Sequence, residues 1–551
     1  MIHFLMSASE KQSPCGHTAA QRRSNTHSPG SGLAKAFSMV LLAALILSAT
    51  VAASSEARLS VDYGGPAPGL EEVVMFPFDD VTIPYRYRIQ VGLVTATSPT
   101  QPHRRVLEKG KTGSPDGRNI KFYGSVRRVG DELRMWYIGS PARSDLRVCY
   151  ATSTNGLDWE KPPLGLVEFD GNTQNNFVQF DRKDITAILI LHEPEDPDPN
   201  RRFKMIYEVS PTYIGAAFSP DGLRWQDSPG NPIIKHNNVE PGGLTKFNGC
   251  YYLTGQGGGV GTKRALVTFQ SYDFENWTTA VAIGLRRDIP PHREAAGMHA
   301  GEQIHLGAAL WNRGNVLLGV YGQWHGEMND RRFLTIDLGL AVSNDALHYR
   351  EPIPNFQIVS AYEINMSDDP GATFPAPSLE QGQAFENVGD QTFFYYSPWY
   401  GGSVCVAKWM RDRLGYFETV KGSRAVSFAT QEPRPPTPND PPKPASQAPG
   451  PHFISCPLQV EGAGARLFIN AAGLSEQTHL VVELLDKHFR PLPDYSGDNC
   501  IPVTVAGLRQ PVTWRNRKTV DASLSPFRVR VCWGGKRPED AYVYALYLSG
   551  K

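Results

Sequence analysis

The sequence has no excess of either charge and very little cysteine. Lys plus Arg and Asp plus Glu each number 55 in 551 residues, so no net field attracts nucleic acid or an anionic membrane surface. None of the seven cysteines forms a C-x-x-C pair, which is the usual spacing of a structural zinc site. No long amphipathic helical pattern follows residue 60. These absences argue against a nucleic-acid-binding protein and against a helical fold.

Long apolar runs are also scarce, and the informative one is near the start of the chain. Residues 39–47 are apolar, follow a polar segment that carries Arg22, Arg23 and Lys35, and precede small residues typical of a cleavage site. We therefore predict an export signal over 1–57 and a secreted, periplasmic or cell-surface protein. Residues 37–53 are at the short edge of what spans a bilayer, so anchoring by an uncleaved N-terminal helix is the alternative.

What the sequence does contain is a turn signature that recurs five times. Each copy has Asp or Asn four residues before an aromatic side chain, and each follows a strand-like, aromatic-rich run. The copies begin at Asn155, Asp221, Asp273, Asp345 and Asp412, at spacings of 66, 52, 72 and 67 residues. Such spacing suits one four-stranded sheet per unit, and it predicts a five-bladed β-propeller over 119–424 with the aromatics packed between sheets. An open β-sandwich with coincidental turns is the alternative.

Three further segments flank this repeat. Residues 58–118 are predicted to form a β-rich extension that packs on the propeller or helps to close its ring. The proline-rich segment 425–451 predicts a linker, and apolar alternation in 452–551 predicts a small β-sandwich. In an exported chain Cys500 could pair with Cys532 or Cys456, and buried free thiols are the alternative. The predicted fold is thus all-β, a five-bladed propeller followed by a sandwich.

Three segments resemble a known group of proteins. They are residues 123–126 leading into 135–137, residues 151–162, and residues 240–246. These segments resemble the five-bladed propeller superfamily that includes the family 43 and family 32 glycoside hydrolases, and in particular a secreted bacterial branch with a C-terminal β-sandwich. The resemblance implies the fold more strongly than the reaction, because one propeller hosts hydrolases, transferases, phosphorylases and binding modules.

The resemblance also implies three catalytic carboxylates from successive blades in an axial pocket. Glu240 matches the family's general acid, and Asp184 matches the Asp that orients the substrate. Tyr123 stands where the family has its catalytic base, an Asp, and this departure puts hydrolysis in doubt. A base could come instead from Asp79, Asp80 or Asp116, or Tyr123 could act itself, as tyrosine does in sialidases.

Polar side chains in the fourth and fifth units suit a sugar pocket. Strand alternation places Glu302 on one face and Gln303 and His305 on the other, while Trp324 and His325 end the next strand. Sugar hydroxyls need polar partners and an aromatic platform. Glu302 is therefore a third candidate catalytic carboxylate, and the candidate substrate-binding residues are Tyr123, Gln303, His305, Trp324, His325 and Glu386.

No cofactor is expected from the sequence. An axial metal ion such as calcium, or one held by His299, His305 and His325, is the alternative, although the histidine spacing matches no standard ligand motif.

Two functions remain open. The first is a secreted glycoside hydrolase acting on a polysaccharide or oligosaccharide. The second is a non-catalytic carbohydrate-binding or cell-surface propeller that lacks the base. A second carboxylate facing Glu240 would distinguish them. Either function implies a carbohydrate partner, no nucleic acid, and no membrane contact beyond the export signal.

Overall fold

The computed structural model describes residues 57–61, 69–96, 104–209, 213–234, 239–257, 264–278, 282–287, 302–326, 334–361, 378–399, 402–420 and 450–550. The predicted export signal and nearly all of the proline-rich segment lie outside the described residues. Within the described ranges, no helix is long and apolar enough to cross a membrane. The description below concerns the compact unit Glu56–Lys551.

The described residues form strands joined by turns and short 3-10 segments, which confirms the predicted all-β fold. The strands are β1 (Arg58–Val61), β2 (Glu72–Met75), β3 (Tyr85–Tyr87), β4 (Ile89–Leu93), β5 (Arg104–Glu108), β6 (Asn119–Val129), β7 (Glu132–Ala142), β8 (Asp145–Ser153), β9 (Ala187–His192), β10 (Phe203–Val209), β11 (Tyr213–Ser219), β12 (Gln226–Asp227), β13 (Glu240–Phe247), β14 (Cys250–Gly257), β15 (Ala265–Ser271), β16 (Ala282–Leu285), β17 (Gln303–Asn312), β18 (Leu317–Gly326), β19 (Leu334–Ser343), β20 (Gln357–Val359), β21 (Leu379–Val388), β22 (Gln391–Pro398), β23 (Ser403–Met410), β24 (Gly415–Thr419), β25 (His452–Ile454), β26 (Leu458–Glu461), β27 (Arg466–Ala472), β28 (Thr478–Asp486), β29 (Gly507–Val512), β30 (Phe527–Gly535) and β31 (Tyr542–Ser549).

Five antiparallel meanders follow one another along the chain. They are β6–β8, β9–β12, β13–β16, β17–β20, and β21–β23 with β5 added at the outer edge. Their first strands contact one another in the closed order β6, β9, β13, β17, β21 and back to β6, so the meanders surround one axis. A parallel pairing of Gln383 with Ser125 joins β21, the first strand of the fifth meander, to β6, the first strand of the first meander. Strand β5 pairs with β23, so the sheet of the fifth meander is completed by residues that precede the first meander in the sequence.

The recurrent signature caps the turn after the third strand of a meander. In the second copy, Asp221 Oδ1 accepts hydrogen bonds from the backbone N–H groups of Leu223 and Arg224, each 2.8 Å long. The carbonyl of Gly222, whose φ is 77°, accepts Trp225 Nε1–H at 2.9 Å and Trp136 Nε1–H of the neighbouring sheet at 2.6 Å. The same carboxylate or amide cap recurs at Asn155, Asp273 and Asp345. The signature thus closes a turn and joins adjacent sheets.

The fifth copy, at Asp412, has a different role. Its carboxylate accepts hydrogen bonds from Arg313 of the β17–β18 turn, from Asn387 at 3.2 Å, and from Tyr547 of β31 at 2.8 Å. This buried group therefore links the ring of meanders to the C-terminal strands.

Two six-stranded sheets outside the ring share one hydrophobic core. The first has the order β1-β26-β30-β25-β3 with β28 also paired to β30, and the second has the order β29-β27-β31-β24-β4 with β2 also paired to β31. Four N-terminal strands, β1 to β4, therefore pair with C-terminal strands and not with the ring.

This arrangement departs from the domain boundaries expected from the sequence. Within the predicted extension 58–118, β5 belongs to the ring, and β6 begins directly after the extension at Asn119. Strands β24 and β25 stand on either side of the proline-rich segment in the sequence, and both belong to the two six-stranded sheets. Alternation along a strand shows which face is buried, but it does not show which strand will be the pairing partner. The sequence therefore could not show that N-terminal strands pair with C-terminal ones.

The six described cysteines are all free, so Cys500 forms no disulfide with Cys532 or Cys456. The Cys500 thiol instead donates to the backbone carbonyl of Val482 at 3.2 Å.

Candidate functional site

Polar side chains collect at one face of the ring. Since consecutive strands of a meander run antiparallel, the starts of first strands and the ends of second strands meet at the same face. First strands bring Tyr123, Glu240 and Glu380 there, and the ends of β10 and β14 bring Glu208 and Gln256. We call this group, together with Lys121 and Thr186, the axial cluster.

Tyr123 interacts with several members of the axial cluster. Its partly exposed phenol hydrogen-bonds to the side chain of Glu380, and the Lys121 ammonium lies 5.7 Å from the centre of its ring. Burial, followed by the nearby charges of Glu380, Glu240 and Glu208, raises the pKa of Tyr123 well above its ordinary value. The phenol therefore keeps its proton at neutral pH unless a base removes it.

Glu380 is the most deeply buried carboxylate of the cluster, with 1% of its surface exposed. Ser397 Oγ donates to its Oε2 at 3.2 Å. Burial raises the pKa of Glu380 to about 7, although the Lys121 charge and the hydrogen bonds from Tyr123 and Ser397 oppose the rise. This carboxyl group can therefore exchange a proton near neutral pH.

Glu208 also titrates near neutral pH but is only partly buried. Burial raises the pKa of Glu208 to about 7 against the opposing hydrogen bond from Thr186 Oγ1, which is 2.8 Å long, and the Glu240 charge adds to the rise. Two neighbouring carboxylates are costly to ionise together, so the charge of Glu240 favours the protonated form of Glu208.

Glu240 is held in place by an amide of fixed orientation. Gln256 Nε2 donates to Glu240 Oε2 at 3.1 Å, while Gln256 Oε1 accepts from the backbone N–H of Leu306 at 3.1 Å and from Arg264 at 3.3 Å. Because both donors occupy the oxygen end of the amide, the nitrogen end must face Glu240.

Aromatic rings and amides form a wall beside the cluster. The His305 ring lies 6.5 Å from Tyr123, 5.9 Å from Trp324 and 5.8 Å from Trp399. Trp324 is only 1% exposed, and the Arg264 guanidinium covers its ring at 4.8 Å. Trp324 is therefore part of the wall and does not present the open sugar platform that the sequence suggested. Gln303 is equally buried, and its Oε1 accepts from the backbone N–H of Arg264 at 3.2 Å.

Glu302 and His325 belong to a separate ion-paired group. Glu302 lies 2.7 Å from Arg287, and His325 Nδ1 lies 2.8 Å from Glu302 Oε1. His325 Nε2 is 3.6 Å from the buried carboxylate of Asp337. Burial alone would raise the pKa of Glu302, but the hydrogen bond with His325 and the charge of Arg287 lower it. Glu302 is thus arranged as a permanent anion and not as a proton donor.

The two remaining candidate carboxylates lie outside the axial cluster. Asp184 is exposed, its backbone pairs with Leu146 of β8, and its side chain makes no hydrogen bond or ion pair with any described residue. Glu386 lies six residues beyond Glu380 on β21, towards the opposite face of the ring, and its Oε2 is 3.7 Å from Arg128.

The three alternative bases serve the fold. Asp116 pairs with Lys161 and accepts from Tyr137 at 2.8 Å. Asp79 and Asp80 both pair with Arg350. Each carboxylate already has a cationic partner and is not directed at Glu240.

The sequence did not reveal Glu208 or Glu380. Glu380 is the second residue of β21, and an irregular register between Gln381 and Phe385 interrupts the alternation that could have marked it. Glu208 stands at the end of a second strand, and only the ring geometry brings such a position beside the first strands. An acidic residue just before the end of a mainly apolar strand was the available signal.

No group of three His, Cys, Asp or Glu side chains suited to a metal ion occurs among the described residues. His299, one of the three histidines considered as ligands, lies outside them.

No protein-family model matches the chain, and no curated protein matches it. Among solved structures, it is similar to a glycosyl hydrolase from Bacteroides ovatus, with 12% identity, a TM-score of 0.40, and coverage of 59% of this chain and 95% of that one. It is also similar to a thermostable family-43 glycoside hydrolase, with 15% identity, a TM-score of 0.35, and coverage of 62% and 98%. Similarities of this size leave the function to be inferred from the axial cluster.

Proposed function

We propose that this protein is a secreted glycoside hydrolase, built as a five-bladed propeller with an attached β-sandwich, that cleaves a polysaccharide or oligosaccharide at the axial cluster. The observation that carries the proposal is the Glu208–Glu240 pair, in which one carboxyl group has a pKa of about 7. Secretion rests on the apolar run at residues 39–47, which lies outside the described residues.

The pair supplies what glycoside cleavage needs first. The departing sugar oxygen must receive a proton, and a group that still holds its proton near neutral pH is the effective donor. Glu208 is close to half protonated at that pH. Glu240 is positioned by Gln256 and stabilises the protonated form of its neighbour. We assign the general acid to this pair, in which the Glu240 charge keeps the proton on Glu208.

The second carboxylate also favours an enzyme over a binding module. Burying a pair of acidic groups costs free energy, and glycoside cleavage gives such a pair a task that sugar binding alone does not require. Lys121, the cation of the axial cluster, reduces that cost for Glu208 and Glu380 together.

The test is a comparison of leaving groups. Alkyl glycosides need a proton on the departing oxygen, whereas dinitrophenyl glycosides do not. We expect Glu240→Gln and Glu208→Gln to lower kcat/KM on the alkyl glycosides about 10²- to 10⁴-fold and to change it little on the dinitrophenyl glycosides. Glu275→Gln is the matched control, because Glu275 is not part of the axial cluster and forms an ion pair with Arg201 at 3.2 Å.

Equal losses on both classes of substrate would show that the pair does not donate the proton. A wild-type protein that binds glycan but cleaves no member of a broad glycoside panel would instead be the carbohydrate-binding propeller.

A further inference from the structure

We propose that Tyr123 is the nucleophile that attacks the anomeric carbon, and that the Glu380 carboxylate accepts its proton. This inference rests on the proposed function. It assigns the role left open by the absence of an Asp at this position, and it gives the buried Glu380 a chemical task.

The backbone of β6 places Tyr123 where a nucleophile is needed. The pairing of β6 with β7 loses its regular register between Lys121 and Ser125, so the residues between them leave the regular ladder. The Tyr123 side chain is partly exposed there, beside the carboxylates of Glu240 and Glu208. The same face therefore presents the proton donor and the phenol.

Glu380 can act only through Tyr123. Its side chain is almost fully buried on β21, the first strand of the neighbouring meander, so a sugar cannot reach it. It hydrogen-bonds to the phenol, and Ser397 of β22 orients it from the other side. Such a carboxylate is a base for the phenol and a positioning residue for the reaction.

The charges around the phenol explain why it needs this base. Burial and the three nearby carboxylates raise the pKa of Tyr123, so the free phenolate is scarce at neutral pH. Glu380 has a pKa of about 7 and is half ionised there. The groups that face the Tyr123–Glu380 couple are Lys121 from β6, Ser397 from β22, His305 from β17, Glu240 from β13 and Glu208 from β10.

The reaction balances with the groups present. The Tyr123 oxygen bonds to the anomeric carbon as its proton passes to Glu380, and the bond to the leaving oxygen breaks as that oxygen takes the proton of the Glu208–Glu240 pair. In the second half, the pair accepts a proton from water, and the water oxygen replaces the tyrosyl oxygen at the anomeric carbon. The proton on Glu380 then returns to Tyr123. The net change is hydrolysis with retained configuration.

In a pair of carboxyl groups that holds one proton, the ionised member is the competing nucleophile, and the trapping experiment below distinguishes it from Tyr123. Glu380 is excluded by burial, and Glu302 is committed to Arg287 and His325. In the described part of the cluster, Tyr123 is therefore the accessible group with no other assigned task.

Covalent trapping tests the inference. The wild-type full-length protein is incubated with dinitrophenyl 2-deoxy-2-fluoro glycosides of the gluco, galacto, manno, xylo and arabino series and then digested for peptide mass spectrometry. We expect one fluorosugar on the peptide that contains Tyr123. A label on Glu240 or Glu208, or inversion of configuration by NMR, would overturn the assignment while leaving the hydrolase intact.

Variants separate the nucleophile from the acid. We expect Tyr123→Phe to lower turnover at least about 10³-fold on alkyl and dinitrophenyl glycosides alike, unlike the acid variants. Glu380→Gln should remove the limb of the kcat/KM profile that rises through about pH 7. Tyr150→Phe, in the same meander and with no hydrogen bond from its hydroxyl to a described residue, is the matched control.

Normal turnover of Tyr123→Phe would refute the nucleophile. Normal turnover with an unchanged pH profile in Glu380→Gln would refute the base. A wild-type protein that cleaves no glycoside of either class would overturn the proposed function, and this inference with it.

Discussion

Replacing Asp412 by Asn should destabilise the protein strongly, although the residue is far from the axial cluster. Asp412 and Arg313 have 1% and 11% of their side-chain surface exposed. Burial would raise the pKa of Asp412, but the Arg313 charge and the hydrogen bonds from Tyr547 and Asn387 lower it. The carboxylate is therefore ionised in the folded state.

The expected magnitude follows from what the substitution leaves behind. Asn keeps the size of the side chain but removes the charge, so the Arg313 guanidinium stays buried without a counterion. Breaking a buried ion pair from one side costs about 3–5 kcal/mol of unfolding free energy. Because Tyr547 belongs to β31, the loss should also weaken the contact between the ring and the two six-stranded sheets.

Urea unfolding followed by tryptophan fluorescence measures this cost. The control is Glu108→Gln in the exposed Arg105–Glu108 pair, whose side chains are 46% and 69% exposed and whose loss should cost at most about 1 kcal/mol. A double variant, Arg313→Met with Asp412→Leu, should recover most of the stability because no charge is left buried. A cost below about 1 kcal/mol for Asp412→Asn would refute the argument.

Two further predictions concern stability. Backbone and side-chain hydrogen bonds outweigh the opposing effect of burial and lower the pKa of Asp221 and Asp345, so the stability that they contribute is present above about pH 4 and is lost as the pH falls towards their folded-state pKa values. Urea midpoints at pH 3 and pH 6 check this, and equal midpoints would contradict it. Gly242→Ala should lower the melting temperature, because its Cβ would lie 1.4 Å from the Leu306 carbonyl oxygen. Gly230→Ala, with its nearest neighbour atom at 3.7 Å, is the control, and equal melting temperatures would show that β13 and β17 can separate at no cost.

Local sequence was informative wherever the structure depends on neighbours in the chain. The Asp or Asn cap and its aromatic partner form within a few residues, so the repeat and the all-β fold could be predicted from the signature. Glu240 and Tyr123 could be selected because they lie in segments that resemble those of a known family. The signature could not show that its fifth copy is an anchor, since Arg313 and Tyr547 are 99 and 135 residues away from Asp412.

The sequence by itself determined the strands, the turns and the two residues at the centre of the site. Only the tertiary structure decided that Glu208 and Glu380 join them, that Trp324 is buried, and that β1–β4 complete the C-terminal sheets. The physical reason is that alternation and turn chemistry act over a few residues, whereas strand partners and carboxyl pKa values depend on groups brought together by ring closure. Burial at that shared face, which no single strand contains, raises the pKa of Glu208 and of Glu380 to about 7.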